Sequence, residues 1–176
     1  RTVTGVQTCA LPIFNQGTPT PANKDITIES LKHMGDYGKS KGVKIGMENR
    51  GAYVPSEPPP APAPTSGPPY YPLLVEIIKA AGTYTNCDLG NFPNQEMQLA
   101  GGRAMLPLSD GNTHVKLNHE RYDLAKAIAM TKEIGYNGLF SIEANANLTN
   151  NPNSPDMGAD PYANVQKIYD VLMATL

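Results

Sequence analysis

Four metal-competent side chains recur in similar surroundings along this chain of 176 residues. Each follows an apolar, alternating run and stands on its less apolar side, near its C-terminal end; the four are Glu48, Asp88, His114 and Glu143. A single buried carboxylate is more often a member of a structural ion pair than a metal ligand. The recurrence of one pattern in four runs predicts that these residues act together.

Each of the four runs has the alternation of a β-strand, in which successive side chains point to opposite faces. In the segment GVKIGMENR, Val43, Ile45 and Met47 fall on one face and Glu48 ends the other. The corresponding runs are residues 83–89, 112–118 and 138–144. We therefore expect four short strands, each with one candidate ligand at its end.

A helical pattern follows each strand, which predicts an α/β fold with a parallel sheet. In a (β/α)8 TIM barrel the chemistry lies at the C-terminal ends of the strands, where all four residues are expected. A complete barrel takes about 250 residues, and only about four βα units are present. Residues 15–176 are therefore predicted to be the C-terminal half of a barrel.

Two local predictions concern helix boundaries. Thr27 is expected to cap the helix that precedes the first strand, because a threonine hydroxyl can accept from the free amides of a first turn. The pair Gly101–Gly102 is expected to break a short helix that begins near Gln95, because glycine costs about 1 kcal/mol relative to alanine in a helix.

Two segments are set apart from this domain. Residues 1–14, RTVTGVQTCALPIF, resemble a translated sequencing adapter and are expected to be non-native, so that the native N-terminus is missing. The alternative is a short native strand around Cys9 to Phe14. Residues 54–72 form a Pro-rich loop insertion, either a lid over the strand ends or, as we favour, a neutral expansion of a surface loop.

Composition narrows the classes of function. A formal charge of -2 supplies no basic field, so nucleic acid is not expected as a partner. No apolar run approaches the roughly 18 residues of a membrane helix, so no membrane contact is expected. Two cysteines argue against a disulfide scaffold. The compartment is unknown without the native N-terminus: cytoplasmic is the default, and export stays open.

The four motifs together resemble the sugar phosphate isomerase/epimerase family of the xylose-isomerase-like TIM barrel superfamily. The resemblance extends from about residue 20 to the end and rests on four segments: GVKIGMENR, CDLGNF, THVKLN and GYNGLFSIEAN. It implies that Glu48, Asp88, His114 and Glu143 bind one divalent metal ion. It further implies that Glu48 and Glu143 exchange protons with a sugar or polyol substrate, through a metal-stabilised ene-diolate.

Ligand chemistry supports the implied site. Three carboxylates and one imidazole make a hard, mostly oxygen site that suits Mn²⁺ or Mg²⁺, with Co²⁺ or Zn²⁺ as alternatives. Lys116 shares the strand face of His114 and is a candidate substrate contact. Arg50 and Asn91 are further candidates, and Asn91 stands where relatives often carry histidine. Asn49 and Asn145 either orient neighbouring ligands or cap turns.

Two alternative functions remain open at this point. An abasic-site endonuclease uses the same barrel, but it typically needs more than the three histidines of this chain and a basic surface. The second alternative is an inactive truncated product, because a half-barrel leaves sheet edges unpaired and could also associate into a homo-oligomer. We therefore expect this chain to be inactive alone even if its parent protein is an enzyme.

Overall fold

The structure, a computed structural model, describes residues 19–49, 71–117, 121–144 and 160–176 and the backbone of Ile13 and Phe14. Five parallel strands form one sheet in chain order: β1 (Ile13–Phe14), β2 (Gly46–Glu48), β3 (Tyr84–Asp88), β4 (Ser109–Val115) and β5 (Leu139–Ile142). The α-helices are α1 (Lys24–Ser40), α2 (Tyr71–Ala81), α3 (Gln95–Met105), α4 (Leu124–Glu133) and α5 (Pro161–Thr175).

Strands and helices alternate, and each helix packs against the next one along the chain. Parallel neighbours require a crossover of this kind, because the chain must return to the same end of the sheet between strands. The apolar faces of the helices and the outward side chains of the strands form one core, which includes Leu74, Ile77, Leu89, Ile128 and Ile168. The α/β class and the parallel order confirm the prediction from sequence.

The helix boundaries differ from expectation at two places. Helix α1 begins at Lys24, so Thr27 lies inside its first turn and donates its hydroxyl to the carbonyl of Asn23 at 2.8 Å. Thr20 instead caps a short 3-10 turn, Pro21–Asn23, that leads into the helix. The proline favours this earlier start, because its fixed φ suits the first position of a helical turn.

The prediction that Gly101 and Gly102 end a helix was wrong, since α3 continues through both to Met105. A Cβ at Gly101 would overlap the ring of Phe92, and a Cβ at Gly102 would overlap the methyl group of Met130. The missing side chains thus let two bulky core residues approach the helix axis. Tertiary packing at this contact outweighs the low helix propensity of glycine.

Strand β1 pairs Ile13 with Gly46 and Phe14 with Met47. These two residues belong to the segment predicted to be adapter-derived, and the origin of residues 1–14 stays a prediction. The Pro-rich insertion lies outside the described residues, apart from Tyr71 and Pro72 at the start of α2. Within the described ranges, no helix has both the length and the apolar character needed to cross a membrane.

Candidate metal centre

Three of the four predicted ligands lie at the carboxyl ends of neighbouring strands. Glu48 ends β2, Asp88 ends β3, and His114 is the penultimate residue of β4. The register places Asp88 beside His114 and His114 beside Ser141, so the ends of the strands are level with one another. Glu143 follows β5 directly, and its amide donates to the carbonyl of Val115 at 2.9 Å.

The side chains of Glu48, Asp88 and His114 converge on one point. Each offers a ligand atom, and these atoms lie within 4.8 Å of one another. Nδ1 of His114 is buried and has no hydrogen-bond partner among the described residues. An unpaired buried nitrogen is costly, and coordination to a metal ion would satisfy it. Two carboxylates and an imidazole with an unused nitrogen fit a divalent cation.

Glu143, the fourth predicted ligand, lies beside this group but is engaged elsewhere. Its Oε2 is 3.6 Å from Nδ1 of His114 and accepts a hydrogen bond from Nζ of Lys116 at 3.1 Å. The same ammonium forms an ion pair of 2.7 Å with Oδ2 of Asp88. The structure therefore joins a predicted substrate contact, Lys116, to two of the predicted metal ligands.

The backbone around Asp88 is held by two neighbours. The side chain of Asn49 donates to the carbonyl of Asp88 at 2.9 Å and accepts from its amide at 2.6 Å. This buried side chain continues the parallel ladder by one residue beyond the end of β2. The amide of Gly90 donates to Oδ1 of Asp88 at 2.7 Å. The Asp88 carboxylate is consequently fixed, and its second oxygen, Oδ2, is the one in contact with Lys116.

Asn91 contacts a predicted ligand. Its side-chain amide donates to Oε1 of Glu48 at 2.8 Å, which orients that carboxylate toward the other two. Asn91 stays a predicted substrate contact, and the structure adds this link to Glu48. Arg50 lies outside the described residues, and so does Asn145.

A second polar layer lies below the candidate ligands and was missed by the sequence reasoning. Ser141 donates to Oδ1 of Asn112 at 2.9 Å, and the amide of Asn112 reaches Oδ1 of Asn86 at 3.4 Å. The amide of Asn86 in turn lies 3.4 Å from Nε2 of His114. A signal was present, because each member precedes a candidate ligand by two positions and therefore shares its strand face.

The charges of the site shift one another's pKa values. Burial raises the pKa of Asp88 to about 6, although the Lys116 ammonium opposes the shift. Burial also acts to raise the pKa of Glu143, but Lys116, then a hydrogen bond with Asp88 and then His114 outweigh it and hold that pKa below its usual value. Burial works against the charge of Lys116, yet Asp88 and Glu143 raise its pKa overall. Glu143 and Lys116 are both charged at neutral pH.

A cleft lies at the opposite ends of the strands. It has a volume of about 470 Å³ and is lined by Lys32, Lys39 and Lys44 together with residues at the start of β3, including Thr83 and Tyr84. None of the candidate ligands lines it. The cleft and the candidate metal centre are therefore separate features of the sheet.

This chain resembles known proteins in its fold. No protein-family model matches the sequence, and no curated protein matches it. Among solved structures, a D-allulose 3-epimerase from Methylomonas sp., in complex with D-allulose, matches 95% of this chain with a TM-score of 0.58 and 15% identity. A xylose isomerase-like TIM barrel protein from Mycobacterium smegmatis, in complex with magnesium, matches 100% of it with a TM-score of 0.54 and 19% identity.

The chain spans 60% of the length of each of these two structures. The likeness at such low identity concerns the arrangement of strands and helices. It agrees with the parallel order of the sheet. The chain therefore has the fold of a partial TIM barrel.

Proposed function

We propose that the complete protein is a divalent-metal-dependent isomerase or epimerase of a sugar, sugar phosphate or polyol. The observation that carries the proposal is the convergence of Glu48, Asp88 and His114, whose ligand atoms lie within 4.8 Å of one another. The structurally similar proteins add support, because one is a sugar epimerase in complex with its sugar and the other is in complex with magnesium.

Glu48, Asp88 and His114 would hold the metal ion, with Glu143 as the fourth ligand. The oxygen-rich set favours Mn²⁺ or Mg²⁺, and Co²⁺ or Zn²⁺ remain alternatives for a site with one imidazole. A bound divalent ion supplies positive charge beside the two neighbouring substrate oxygens on which negative charge develops. Asn91 contributes by holding the Glu48 carboxylate at 2.8 Å.

Glu48 and Glu143 are proposed as the acid and base pair. The lowered pKa of Glu143 leaves it ionised at neutral pH and able to accept a proton from the carbon next to a carbonyl group. The partner glutamate then returns a proton. Return to the opposite face of the same carbon gives an epimerase, and return to the next carbon gives an isomerase.

The substrate is proposed to be a small polyhydroxylated molecule. Lys116, with a raised pKa, offers a positive charge to a hydroxyl or phosphate group of the substrate. Arg50 and Asn91 are proposed as further contacts with substrate oxygens. Hydroxyl-rich substrates suit such a set, because each of these side chains carries hydrogen-bond donors.

The proposed activity belongs to the complete protein. Because this chain spans 60% of the length of the two structures it matches, we expect it to be inactive when expressed alone. The test of activity therefore uses the complete protein that contains this chain. An active, monomeric and cooperatively melting form of the 176-residue chain would contradict this expectation.

The decisive test compares Glu143→Gln with the parent protein on a panel of ketoses, inososes and their phosphates in the presence of Mn²⁺. We expect kcat to fall by about 10²-fold or more, because acid–base groups typically contribute that much. Exchange of substrate hydrogen with solvent deuterium should fall in parallel. Glu29→Gln, an exposed change of the same kind on α1, serves as the control. Unchanged turnover in Glu143→Gln would contradict the proposal.

A further inference from the structure

The ammonium of Lys116 lies between two carboxylates of the candidate metal centre. We propose that Lys116 is a resident counter-ion, which stabilises the metal-free protein and has to release Asp88 before a divalent ion can bind at full strength. Lys116 would thus set the metal affinity of the centre. This inference rests on the metal site of the proposed function and concerns a role of Lys116 separate from substrate binding.

The contacts of Lys116 place it inside the centre rather than at its rim. Nζ lies 2.7 Å from Oδ2 of Asp88 and 3.1 Å from Oε2 of Glu143, and 17% of the Lys116 side chain is exposed. Oδ1 of Asp88 accepts from the amide of Gly90, so Oδ2 is the Asp88 oxygen left for a metal ion. The ammonium therefore neutralises the carboxylate oxygen that a metal ion would use.

Gly90 leaves space for the aliphatic part of the Lys116 side chain. A Cβ on Gly90 would overlap Cγ of Lys116 and crowd the rest of its methylene chain. Gly90 lies in the 3-10 turn Leu89–Asn91, whose backbone conformation does not itself demand glycine. The glycine instead leaves the space through which the lysine side chain reaches Asp88 and Glu143.

The balance of charges explains why Lys116 should stabilise the metal-free protein and why it should weaken metal binding. The Asp88 side chain is fully buried, and Glu143 stands close enough to raise its pKa further. Removing the only cation that contacts both within the described residues leaves two carboxylates to repel each other. A divalent ion beside an ammonium would in turn be repelled, because both carry positive charge in a site with little water to screen it.

The test measures stability and metal affinity. The loss of a merely structural lysine would not lower stability and strengthen metal binding at the same time. These are the melting temperature in EDTA and the Kd for Mn²⁺ from isothermal titration calorimetry, both measured on the complete protein that contains this chain. For Lys116→Met we expect a melting temperature lower by about 4 °C or more. We also expect Mn²⁺ to bind about tenfold more tightly or better, since the repulsion is removed.

Two further variants make the result specific. Gly90→Ala keeps the lysine but fills the space that its methylene chain occupies. It should therefore shift both quantities in the same directions as Lys116→Met, by smaller amounts. It also keeps the inference testable if Lys116→Met fails to fold. Lys126→Met removes a charge from the exposed face of α4 and should change neither quantity.

The outcomes separate this inference from the proposed function. Unchanged or weaker Mn²⁺ binding in Lys116→Met and Gly90→Ala, with normal binding by the parent chain, would overturn the inference alone. Binding by Lys116→Met but not by the parent chain would support the inference and overturn metal dependence of the native protein. No Mn²⁺ binding by any variant would overturn both.

Discussion

Charged residues lie at both ends of the strands, but their exposure to solvent differs between the two ends. At the carboxyl ends, Asp88 is fully buried and is in direct contact with Lys116. At the amino ends, Lys32, Lys39 and Lys44 line an open cleft and are exposed. Lys44 lies over the ring of Tyr84, with Nζ 5.2 Å from the ring centroid, and remains open to water.

The difference shows how the solvation of charges distinguishes the two ends of the strands. The cleft at the amino ends has solvated charges, which cost little and need no partners. The candidate metal centre has desolvated charges, each of which needs a compensating group close by. Nδ1 of His114 is a buried polar atom with no hydrogen-bond partner among the described residues, and a further ligand would satisfy it.

The first prediction concerns Asn49, whose side chain supports the backbone at the carboxyl ends of the strands. Asn49→Ala removes both hydrogen bonds that the side chain makes with the backbone of Asp88. The buried amide and carbonyl of Asp88 then lack partners, at about 1–3 kcal/mol each, so we expect a loss of about 2–5 kcal/mol of stability. Urea denaturation measures this loss.

The matched control for this change lies at the other ends of the strands. Asn137 is exposed just before β5, and Asn137→Ala should alter the free energy of unfolding by less than about 0.5 kcal/mol. If the two variants proved equally stable, the amide of Asn49 would be irrelevant to the site.

The second prediction concerns pH and the raised pKa of Asp88. Because the pKa rises from 3.8 to about 6 in the folded chain, Asp88 favours folding below its unfolded pKa. That contribution is lost as pH rises through about 6. The metal-free Asp88→Asn variant should therefore gain stability relative to the parent chain between about pH 4.5 and pH 7.5, by up to about 3 kcal/mol.

Thermal or urea unfolding of both proteins in EDTA checks this difference. Glu143 has a lowered pKa and so contributes stability in the opposite direction, but it is present in both proteins and largely cancels. A stability difference that stays constant over this range of pH would show that burial does not raise the pKa of Asp88.

The third prediction has the smallest effect and sharpens the contrast with the open cleft. Lys44→Ala removes an exposed cation and its contact with the ring of Tyr84, which is worth about 0.5–1 kcal/mol at exposed sites. We expect a melting temperature within a few degrees of that of the parent chain and an unchanged Kd for Mn²⁺. A large loss of Mn²⁺ affinity would mean that the two ends of the strands are coupled.

The sequence indicated the fold and the candidate ligands through one local regularity. Strand alternation put Glu48, Asp88 and His114 on one face, and their positions at strand ends followed from the helical patterns after them. The same alternation also places Asn86, Asn112 and Ser141 on this face, each two positions before a candidate ligand. These three were not identified from the sequence, because only metal ligands were considered. Roles for Arg50, Asn91 and Lys116 with substrate stay predictions.

Other features depend on contacts between distant segments and left no usable local signal. Gly101 and Gly102 were expected to end a helix, because propensity is a property of the local chain. They remain within α3 because Phe92 and Met130, from outside the helix, fill the space above them. A single sequence does not show which distant side chain will fill such a space.

The sequence by itself determined the alternation of strands and helices, the face on which each candidate ligand lies, and the end of the strand it occupies. Only the tertiary structure decided that Lys116 lies between Asp88 and Glu143, that Asn49 supports the backbone of Asp88, and that Gly90 makes room for the lysine. The physical reason is the range of the interactions. Periodicity is set by backbone geometry over a few residues, whereas ion pairing and desolvation depend on strands far apart in the chain.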